Sequence, residues 1–282
     1  MKNGIVILNY NDFENTKLML DEIKNFKVLD YIIVVDNKSK DDSLKKLKKY
    51  ESKKIKIVET LENQGYAAGN NVGIRYLIDN YKVDNIIISN PDIIVREEDI
   101  KVLISDLEKK DIAVIAPVVK EPNEISRGWK LPTFFSELLS NVPYFHFLEN
   151  KILSYKEEDY QKDLTQVEVV KGCFFIIKKE VFEIIDFFDE GTFLYYEEII
   201  IGKKLKELGY KTFVDNRVSV IHALSKSVDK SINRINKFKI LKKSQFYYEK
   251  YVNKWDVFKL ILLRISYYVD LFLVSVINLF RR

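Results

Sequence analysis

Short apolar runs rich in β-branched residues alternate with amphipathic segments through the first half of the chain. The apolar runs are residues 4–8, 31–35, 55–59, 85–89 and 112–116. Their length and composition predict strands, and the segments between them predict helices at 13–25, 41–50, 67–80 and 97–109. This alternation is typical of an α/β fold, in which helices cover both faces of a mostly parallel sheet.

The alternation stops between residues 120 and 166, which predicts a long excursion from the sheet. Long connections of this kind often carry function. Strands are predicted again at 167–170 and 173–177, followed by a helix from Glu180. Another helix is predicted from Glu197 to Leu208, and strand-like runs follow at 211–214 and 218–221.

Polar residues follow each of the first four predicted strands. These groups are residues 9–11, 36–39, 63–65 and 90–92. Because the carboxyl ends of parallel strands meet at one edge of a sheet, this edge is where α/β proteins bind ligands. Any one group could be an ordinary turn or helix cap. Four such groups in succession favour a binding site.

The common nucleotide-binding motifs are absent. No G-x-G-x-x-G follows the first predicted strand, and the sequence contains no G-x-x-x-x-G-K-[ST]. Support for a dinucleotide-binding or P-loop protein is therefore lost. Gly65 and Gly69 still bracket a loop that leads into a helix, where backbone N–H groups could approach a diphosphate.

Two adjacent carboxylates, Glu197 and Glu198, stand at the start of a predicted helix. The helix dipole favours acidic residues there whatever the function. Alternatively, one of them is a general base whose pKa is raised by the aromatic residues before it. His222 follows the last strand-like run, and a single histidine is usually structural unless a carboxylate such as Asp92 joins it.

The composition of this 282-residue chain, 47% hydrophobic and 31% charged, is that of a globular protein with a large core. Cys173 is the single cysteine, which excludes an internal disulfide and a cysteine-based zinc site and favours a reducing compartment. No signal peptide is expected, because the apolar run at residues 5–8 is too short.

The formal net charge of +4 is unevenly distributed along the chain. Residues 223–282 carry 13 basic and 4 acidic residues, a balance of +9, and the preceding residues carry −5. Charged residues interrupt the apolar segment 257–280, so an amphipathic helix is expected rather than a membrane span. Lysines and aromatic residues before this segment suit an anionic membrane surface, and packing on the body or on a second copy is the alternative.

Taken in order, the motifs resemble those of the family 2 glycosyltransferases, and most of all bacterial rhamnosyltransferases. The matching segments are residues 7–11, 34–43, 63–73, 90–92, 172–175 and 189–198, followed by His222. The stretch 127–133 also resembles one that these enzymes carry before the acceptor region. The resemblance implies a GT-A catalytic domain at 1–222, with a donor-binding half at about 1–118 and an acceptor-side half at about 119–222. A helical extension would occupy residues 223–282.

The resemblance also implies roles for individual residues. The donor-binding residues would be Asn9, Tyr10, Asp36, Gly65, Asn71 and Asn90. Asp36 would bind a pyrimidine base, and Asn90 replaces the first acid of the family's Asp-x-Asp motif. Asp92 and His222 would hold Mg²⁺ or Mn²⁺, hard cations that help a diphosphate to leave.

Glu198 would be the general base by the same resemblance, and Glu197 would orient the acceptor or tune its neighbour. The family usually has Asp at the position of Glu198, and it commonly has a further Asp where this chain has Ile200. Both differences affect the geometry of proton transfer, which is sensitive to small displacements.

The implied function is that of an inverting glycosyltransferase in cell-surface or capsular polysaccharide synthesis. It would move a sugar, with rhamnose favoured, from a UDP or dTDP donor to a lipid-linked or polysaccharide acceptor at the cytoplasmic membrane face. The alternative is a nucleotide-sugar-binding partner without transfer activity. A nucleotidyltransferase is disfavoured because no Gly- and Arg-rich phosphate loop is present. The negative balance of the body argues against nucleic-acid binding.

Overall fold

The predicted alternation of strands and helices is present in the computed structural model, which describes residues 1–109, 111–142, 146–223 and 234–280. The first half contains β1 (Asn3–Asn9), α1 (Phe13–Ile23), β2 (Tyr31–Asp36), α2 (Ser43–Leu47), β3 (Ile55–Glu59), α3 (Tyr66–Asn80), β4 (Asn85–Ser89), β5 (Ile93–Ile94), α4 (Glu97–Leu107) and β6 (Ile112–Glu121). These elements agree with the sequence prediction to within a few residues, apart from the short strand β5 and the longer β6.

The second half leaves the sheet and returns to it. It contains β7 (Glu124–Ser126), α5 (Phe134–Ser140), α6 (His146–Leu153), β8 (Leu164–Val167), β9 (Phe174–Lys178), α7 (Lys179–Ile184), α8 (Glu197–Glu207) and β10 (Lys211–His222). The extension adds α9 (Arg234–Tyr247), a π-helical turn (Tyr248–Val252) and α10 (Val257–Phe280). The predicted excursion therefore includes two short helices, α5 and α6.

The described strands form one mixed sheet. Its order is β3-β2-β1-β4-β9-β6-β10-β5, with β7 beside β6 and β8 beside β10. Strands β3, β2, β1 and β4 are parallel, whereas β9 runs antiparallel to both of its neighbours. The chain order reverses on either side of β1, so the crevice for a ligand lies at the carboxyl ends of β1 and β4.

Both faces of the sheet are covered, as predicted. Ile5 and Ile7 of β1 pack with α1, α2 and α4, and Val6 packs on the opposite face with α3, α7 and α8. These side chains are fully buried. A continuous β-branched run therefore serves two cores at once, which is the pattern expected for a strand covered on both sides.

Helix α10 of the extension packs against α5 of the excursion. Asn141 Nδ2 donates to Ser266 Oγ at 2.8 Å, and the rings of Phe134 and Trp255 meet edge to face with centroids 5.3 Å apart. Within the described ranges, no helix combines the length and the apolar character needed to cross a bilayer.

Candidate active site

Asn9 and Asp36 end the adjacent strands β1 and β2 and bind each other. Asn9 Nδ2 donates to Asp36 Oδ2 at 2.8 Å, and the Ser39 N–H donates to Asp36 Oδ1 at 2.9 Å. The Thr16 hydroxyl donates to Asn9 Oδ1 at 2.8 Å. Because a carboxylate oxygen accepts two hydrogen bonds, Asp36 keeps acceptor capacity in this fixed orientation. Tyr10 follows Asn9 and is partly exposed at the same edge.

The loop before α3 is closed by hydrogen bonds and by its glycine. Asn37 Nδ2 donates to Gly65 O at 3.1 Å. Gly65 has a φ of +103°, and a Cβ there would lie 2.1 Å from Phe193 O. The Tyr66 N–H donates to the same Phe193 carbonyl at 2.8 Å. The loop after β3 is therefore in direct contact with the segment that leads into α8.

Asn71, in the second turn of α3, uses its side chain within the protein. Its Nδ2 donates to Phe188 O at 2.9 Å and to Glu190 Oε1 at 2.7 Å. Its Oδ1 accepts the Phe188 N–H at 3.1 Å. Because all three bonds go to residues 188–190, Asn71 fixes that segment against α3.

Tyr66 connects the end of β4 to the segment before β9. Its hydroxyl lies 3.1 Å from Asn90 Oδ1 and 3.0 Å from Gly172 O. The Asn90 N–H donates to Cys173 O at 2.8 Å. Gly172 in turn faces Glu198, since a Cβ at this glycine would lie 3.6 Å from Glu198 Oε2. The polar end of β4 and the start of α8 thus belong to one cluster.

Asp92 and His222 meet because β5 pairs with the last residues of β10. His222 Nε2 lies 3.2 Å from Asp92 Oδ1, and His222 Nδ1 lies 2.7 Å from Glu121 Oε1. Lys171 Nζ contacts the same Glu121 oxygen at 2.8 Å. The sequence-predicted partnership between Asp92 and the histidine is present, and Glu121 and Lys171 extend it.

The electrostatics of His222 follow from these partners. Burial works against the charged ring, but hydrogen bonds and attraction from Asp92 and Glu121 outweigh it and raise the pKa of His222. Burial opposes the charge of Glu121 too, yet Lys171 and His222 lower the pKa of that carboxyl. Because each ring nitrogen contacts a carboxylate, the orientation of the His222 ring is fixed.

The Asp92–His222 pair supplies two donor atoms suited to a divalent ion. Within the described ranges, no group of three or more His, Cys, Asp or Glu side chains could hold a metal. An ion held by this pair would need its remaining ligands from a diphosphate and from water, as Mg²⁺ and Mn²⁺ commonly take them.

Glu197 and Glu198 differ in their surroundings although they are adjacent. Burial and the neighbouring Glu198 carboxylate raise the pKa of Glu197 to about 8, and its Oε1 is buried without a hydrogen-bond partner. Burial also raises the pKa of Glu198, but the Lys171 charge works in the opposite direction. Two close carboxyls do not readily ionise together, so Glu197 keeps its proton near neutral pH.

The turn before α8 is strained and supported from outside the sheet. Tyr195 and Tyr196 both have positive φ, 75° and 73°, which is unfavourable for side chains of this size. The Tyr196 hydroxyl lies 2.9 and 3.0 Å from the two carboxyl oxygens of Glu137 in α5. Gln245 of α9 donates to the same carboxyl. These contacts hold the turn that presents Glu197.

Helix α9 reaches the same segment at two further points. Ser244 Oγ donates to Leu194 O at 2.8 Å, and the Tyr247 hydroxyl lies 2.8 Å from Asp189 Oδ1. Gly191 accommodates the Tyr247 ring, because a Cβ there would lie only 1.9 Å from Tyr247 Cζ. The extension is therefore part of the frame around α8.

Comparison with known proteins gives the family. The model of glycosyl transferase family 2 matches residues 4–185. The chain belongs to this family. A hexosyltransferase of low-salt glycan biosynthesis, Agl10 of Haloferax volcanii, is 29% identical over 70% of the chain and 59% of its own length. The dTDP-rhamnosyl transferase RfbF of Shigella flexneri is 24% identical over 80% of the chain and 70% of its own length. The chain thus spans less than two thirds of the length of the archaeal relative.

Solved structures confirm the GT-A fold of this family 2 member. The mannosyltransferase PcManGT from Pyrobaculum calidifontis, in complex with GDP-Man and Mn²⁺, superposes with a TM-score of 0.62 at 15% identity. The alignment covers 94% of this chain and 69% of that chain. GalNAc-T7 with UDP, GalNAc and Mn²⁺ gives a TM-score of 0.64 at 14% identity, over 94% of this chain and 55% of the other.

Several residues at the site of this family 2 member were not predicted from the sequence. Glu121, Lys171 and Tyr66 each join two parts of the site, and Glu137 and Gln245 support the turn before α8. The sequence offered little signal for them, because each lies outside the polar groups at the strand ends and acts through contacts distant along the chain. Tyr66 alone follows the Asn63–Gly65 motif directly.

Proposed function

We propose that the chain is an inverting glycosyltransferase that moves a sugar from a UDP or dTDP donor to an acceptor hydroxyl. The observation that carries this proposal is that the Asp92–His222 pair, through Glu121 and Lys171, and Glu198, through Gly172, meet at the segment 171–172. One pair is suited to a divalent ion that would accompany a diphosphate, and the other to proton transfer. The catalytic unit would be residues 1–222, with its donor-binding half at about 1–118.

In the proposed reaction, Glu198 accepts the proton of the acceptor hydroxyl. The acceptor oxygen forms a bond to the anomeric carbon from the face opposite the diphosphate, and the bond to the diphosphate oxygen breaks with its electron pair. The configuration is thereby inverted. Asn9, Asp36 and Tyr10 would receive the nucleotide base, and Gly65 and Asn90 would border the donor.

The neutral form of Glu197 supports this division of roles. A proton on Glu197 removes the repulsion that would otherwise raise the pKa of Glu198 still further. Lys171 favours the ionised form of the base. Glu197 would then donate a hydrogen bond to the acceptor or to its neighbour.

Asp92 and His222 would hold Mg²⁺ or Mn²⁺. When bound, such an ion neutralises the negative charge that develops on the leaving nucleoside diphosphate. The contact between Glu121 and His222 Nδ1 would keep Nε2 directed at the ion. Solved neighbours that contain Mn²⁺ with nucleotides or nucleotide sugars support this expectation.

The sugar and the acceptor are proposed from the relatives and from the resemblance. Rhamnose is favoured because one relative is a dTDP-rhamnosyl transferase, and WbbL of Escherichia coli, 26% identical over 57% of the chain, is a rhamnosyltransferase. We expect a lipid-linked or polysaccharide acceptor in cell-surface polysaccharide synthesis, reached at the cytoplasmic face of the membrane through the extension 223–282.

The proposal is tested by release of nucleoside diphosphate from a panel of UDP- and dTDP-sugars, with a lipid-linked acceptor and with Mg²⁺, Mn²⁺ or a chelator. Glu198→Gln is expected to lower the turnover number by about 10² to 10⁴-fold, the usual contribution of a general base, while calorimetry still detects donor binding. The matched control is Glu207→Gln, at the exposed end of the same helix, which should retain wild-type turnover.

Donor binding by the wild type without release, for any donor and acceptor tried, would favour the non-catalytic nucleotide-sugar-binding alternative. Equal turnover in Glu198→Gln and in the wild type would remove Glu198 from the proposed role. Chelation should abolish release, and release that persists in the chelator would contradict the assignment of Asp92 and His222.

A further inference from the structure

Helix α10 presents an apolar stripe to solvent. Its members, 45–73% exposed, are Val257, Phe258, Ile261, Ile265, Tyr268, Val269 and Phe272. At about 100° per residue they fall within an arc of about 120°, opposite the buried Leu263 and Asp270. The stripe extends along about 24 Å of the helix. A continuous apolar face of this size usually marks an interaction surface.

A basic cavity of about 380 Å³ lies between α9 and α10, beside one edge of the stripe. Four cationic side chains line it: Lys239, Lys242, Lys243 and Arg264. Lys242 is buried, with its Nζ bound to Asn141, and the other three are exposed. Within the part of the chain that the structure describes, no carboxylate forms an ion pair with any of these three. Asp270, Glu137 and Glu149 attract Lys242, so the excess positive charge of the cavity comes from the three exposed cations.

The stripe and the cavity are adjacent parts of one surface. Tyr268 belongs to both, and Arg264 stacks on Phe246 at the cavity wall with its guanidinium 4.6 Å from the ring centroid. A soluble anion would fill the cavity and leave the apolar stripe in water. A neutral apolar partner would cover the stripe and leave the cations unmatched. The surface of an anionic bilayer satisfies both, since phosphates and acyl chains lie within a few ångströms of each other.

We infer that α9 and α10 dock on an anionic bilayer, with the stripe at the boundary of headgroups and acyl chains and a lipid phosphate in the basic cavity. This inference deepens the membrane location in the proposed function and does not depend on transfer chemistry. Because α9 also contacts Leu194 and Asp189, docking would orient the segment before Glu197 relative to the membrane.

The test is co-sedimentation of the full chain with vesicles of phosphatidylglycerol and phosphatidylcholine (3:7), compared with phosphatidylcholine alone, in 0.1 M NaCl. The wild type should bind the anionic vesicles and lose affinity as salt is raised. Lys243→Gln with Arg264→Gln should weaken this binding about 30-fold, given the usual contribution of a basic residue at such a surface. The matched control, Lys53→Gln with Lys82→Gln, removes the same charge from exposed sites that precede β3 and β4, and it should change binding less than about 3-fold.

A second pair of variants tests the stripe. Phe258→Ser with Phe272→Ser should weaken vesicle binding at least tenfold, because two large exposed apolar side chains are removed from the interface. The control, Leu61→Ser with Ile184→Ser, removes exposed apolar side chains outside the stripe and should leave vesicle binding unchanged. Circular dichroism should show all four double variants folded.

Three results would overturn the inference. The first is equal weakening by the cavity variant and by its lysine control. The second is a dimer in light scattering that only the stripe variant dissociates, without vesicle binding by the wild type, which would identify a second copy as the partner. The third is binding to phosphatidylcholine vesicles only when they carry the lipid-linked acceptor. Glu198→Gln should bind vesicles as the wild type does, so failure of the transfer proposal and failure of this inference are separable.

Discussion

The proposed donor edge, at Asn9, Asp36 and Asn71, and the turn before α8 differ in how their buried side chains are held. At the donor edge the buried polar side chains of Asn9, Asp36 and Asn71 find their partners within the protein. At the turn, two consecutive tyrosines have positive φ and Glu197 keeps a buried oxygen without a hydrogen bond. Satisfied polar networks make a structure rigid, whereas strain and unsatisfied buried groups lower its stability and tend to lie where chemistry occurs.

This difference indicates a division of work. If the donor edge binds the nucleotide as proposed, its existing hydrogen bonds mean that binding needs little reorganisation. The turn is supported by residues distant from it along the chain, namely Glu137 of α5, which precedes it, and Gln245 of α9, which follows it. Carboxyl pKa values are raised on this side, at Glu197, Glu137 and Glu249, because burial penalises their charged forms.

The largest effect should come from Gly65→Ala, which breaks the contact between the two regions. A side chain there would meet the Phe193 carbonyl and would have to adopt a φ of +103°. We expect a loss of more than about 3 kcal/mol in the free energy of unfolding, measured by urea titration. Gly209→Ala is the control, since that glycine has a φ of +78° but nothing within 4 Å of the added Cβ, and it should cost about 1 kcal/mol. If both variants lost the same unfolding free energy, the clash with Phe193 would not contribute to the cost of Gly65→Ala.

Much of the donor edge could be predicted from the sequence, because its residues directly follow strands that alternate with helices. The register of β1 and β2 brings Asn9 opposite Asp36, as parallel strands require. The other side could not be predicted in the same way. Glu121 contacts His222 across 101 residues, and Gln245 contacts Glu137 across 108. No local pattern in the chain marks such partners.

Asn71→Ala sharpens the comparison within the donor edge. The family resemblance predicts that Asn71 lies beside the donor, whereas its hydrogen bonds go to Phe188 and Glu190. If its main role is to fix this segment, the variant should lose about 2 kcal/mol of unfolding free energy because buried polar groups lose their partner. Asn80→Ala, at the exposed end of the same helix, should lose less than about 0.5 kcal/mol. Weaker donor binding at unchanged stability would instead place Asn71 at the donor.

The smallest expected effect is a pH dependence of stability. It is specific to the region around the turn before α8. Burial, with the neighbouring Glu137 carboxyl, raises the pKa of Glu249 to about 9, and burial raises that of Glu137 to about 7. Such groups bind protons more tightly in the folded chain than in the unfolded chain, where a glutamate titrates near 4.5. Their contribution to stability is therefore fully present below about pH 4.5 and is lost as the pH rises towards 9.

Glu249→Gln should raise the melting temperature by about 2–4 °C at pH 8.5, equivalent to about 1 kcal/mol, and should leave it nearly unchanged at pH 5. Glu180→Gln, on the exposed side of α7, should follow the wild type at both values. A melting temperature that is independent of pH between 5 and 8.5 in the wild type would show that these carboxyls are not kept neutral by the fold, and the contrast between the two regions would then rest on backbone strain alone.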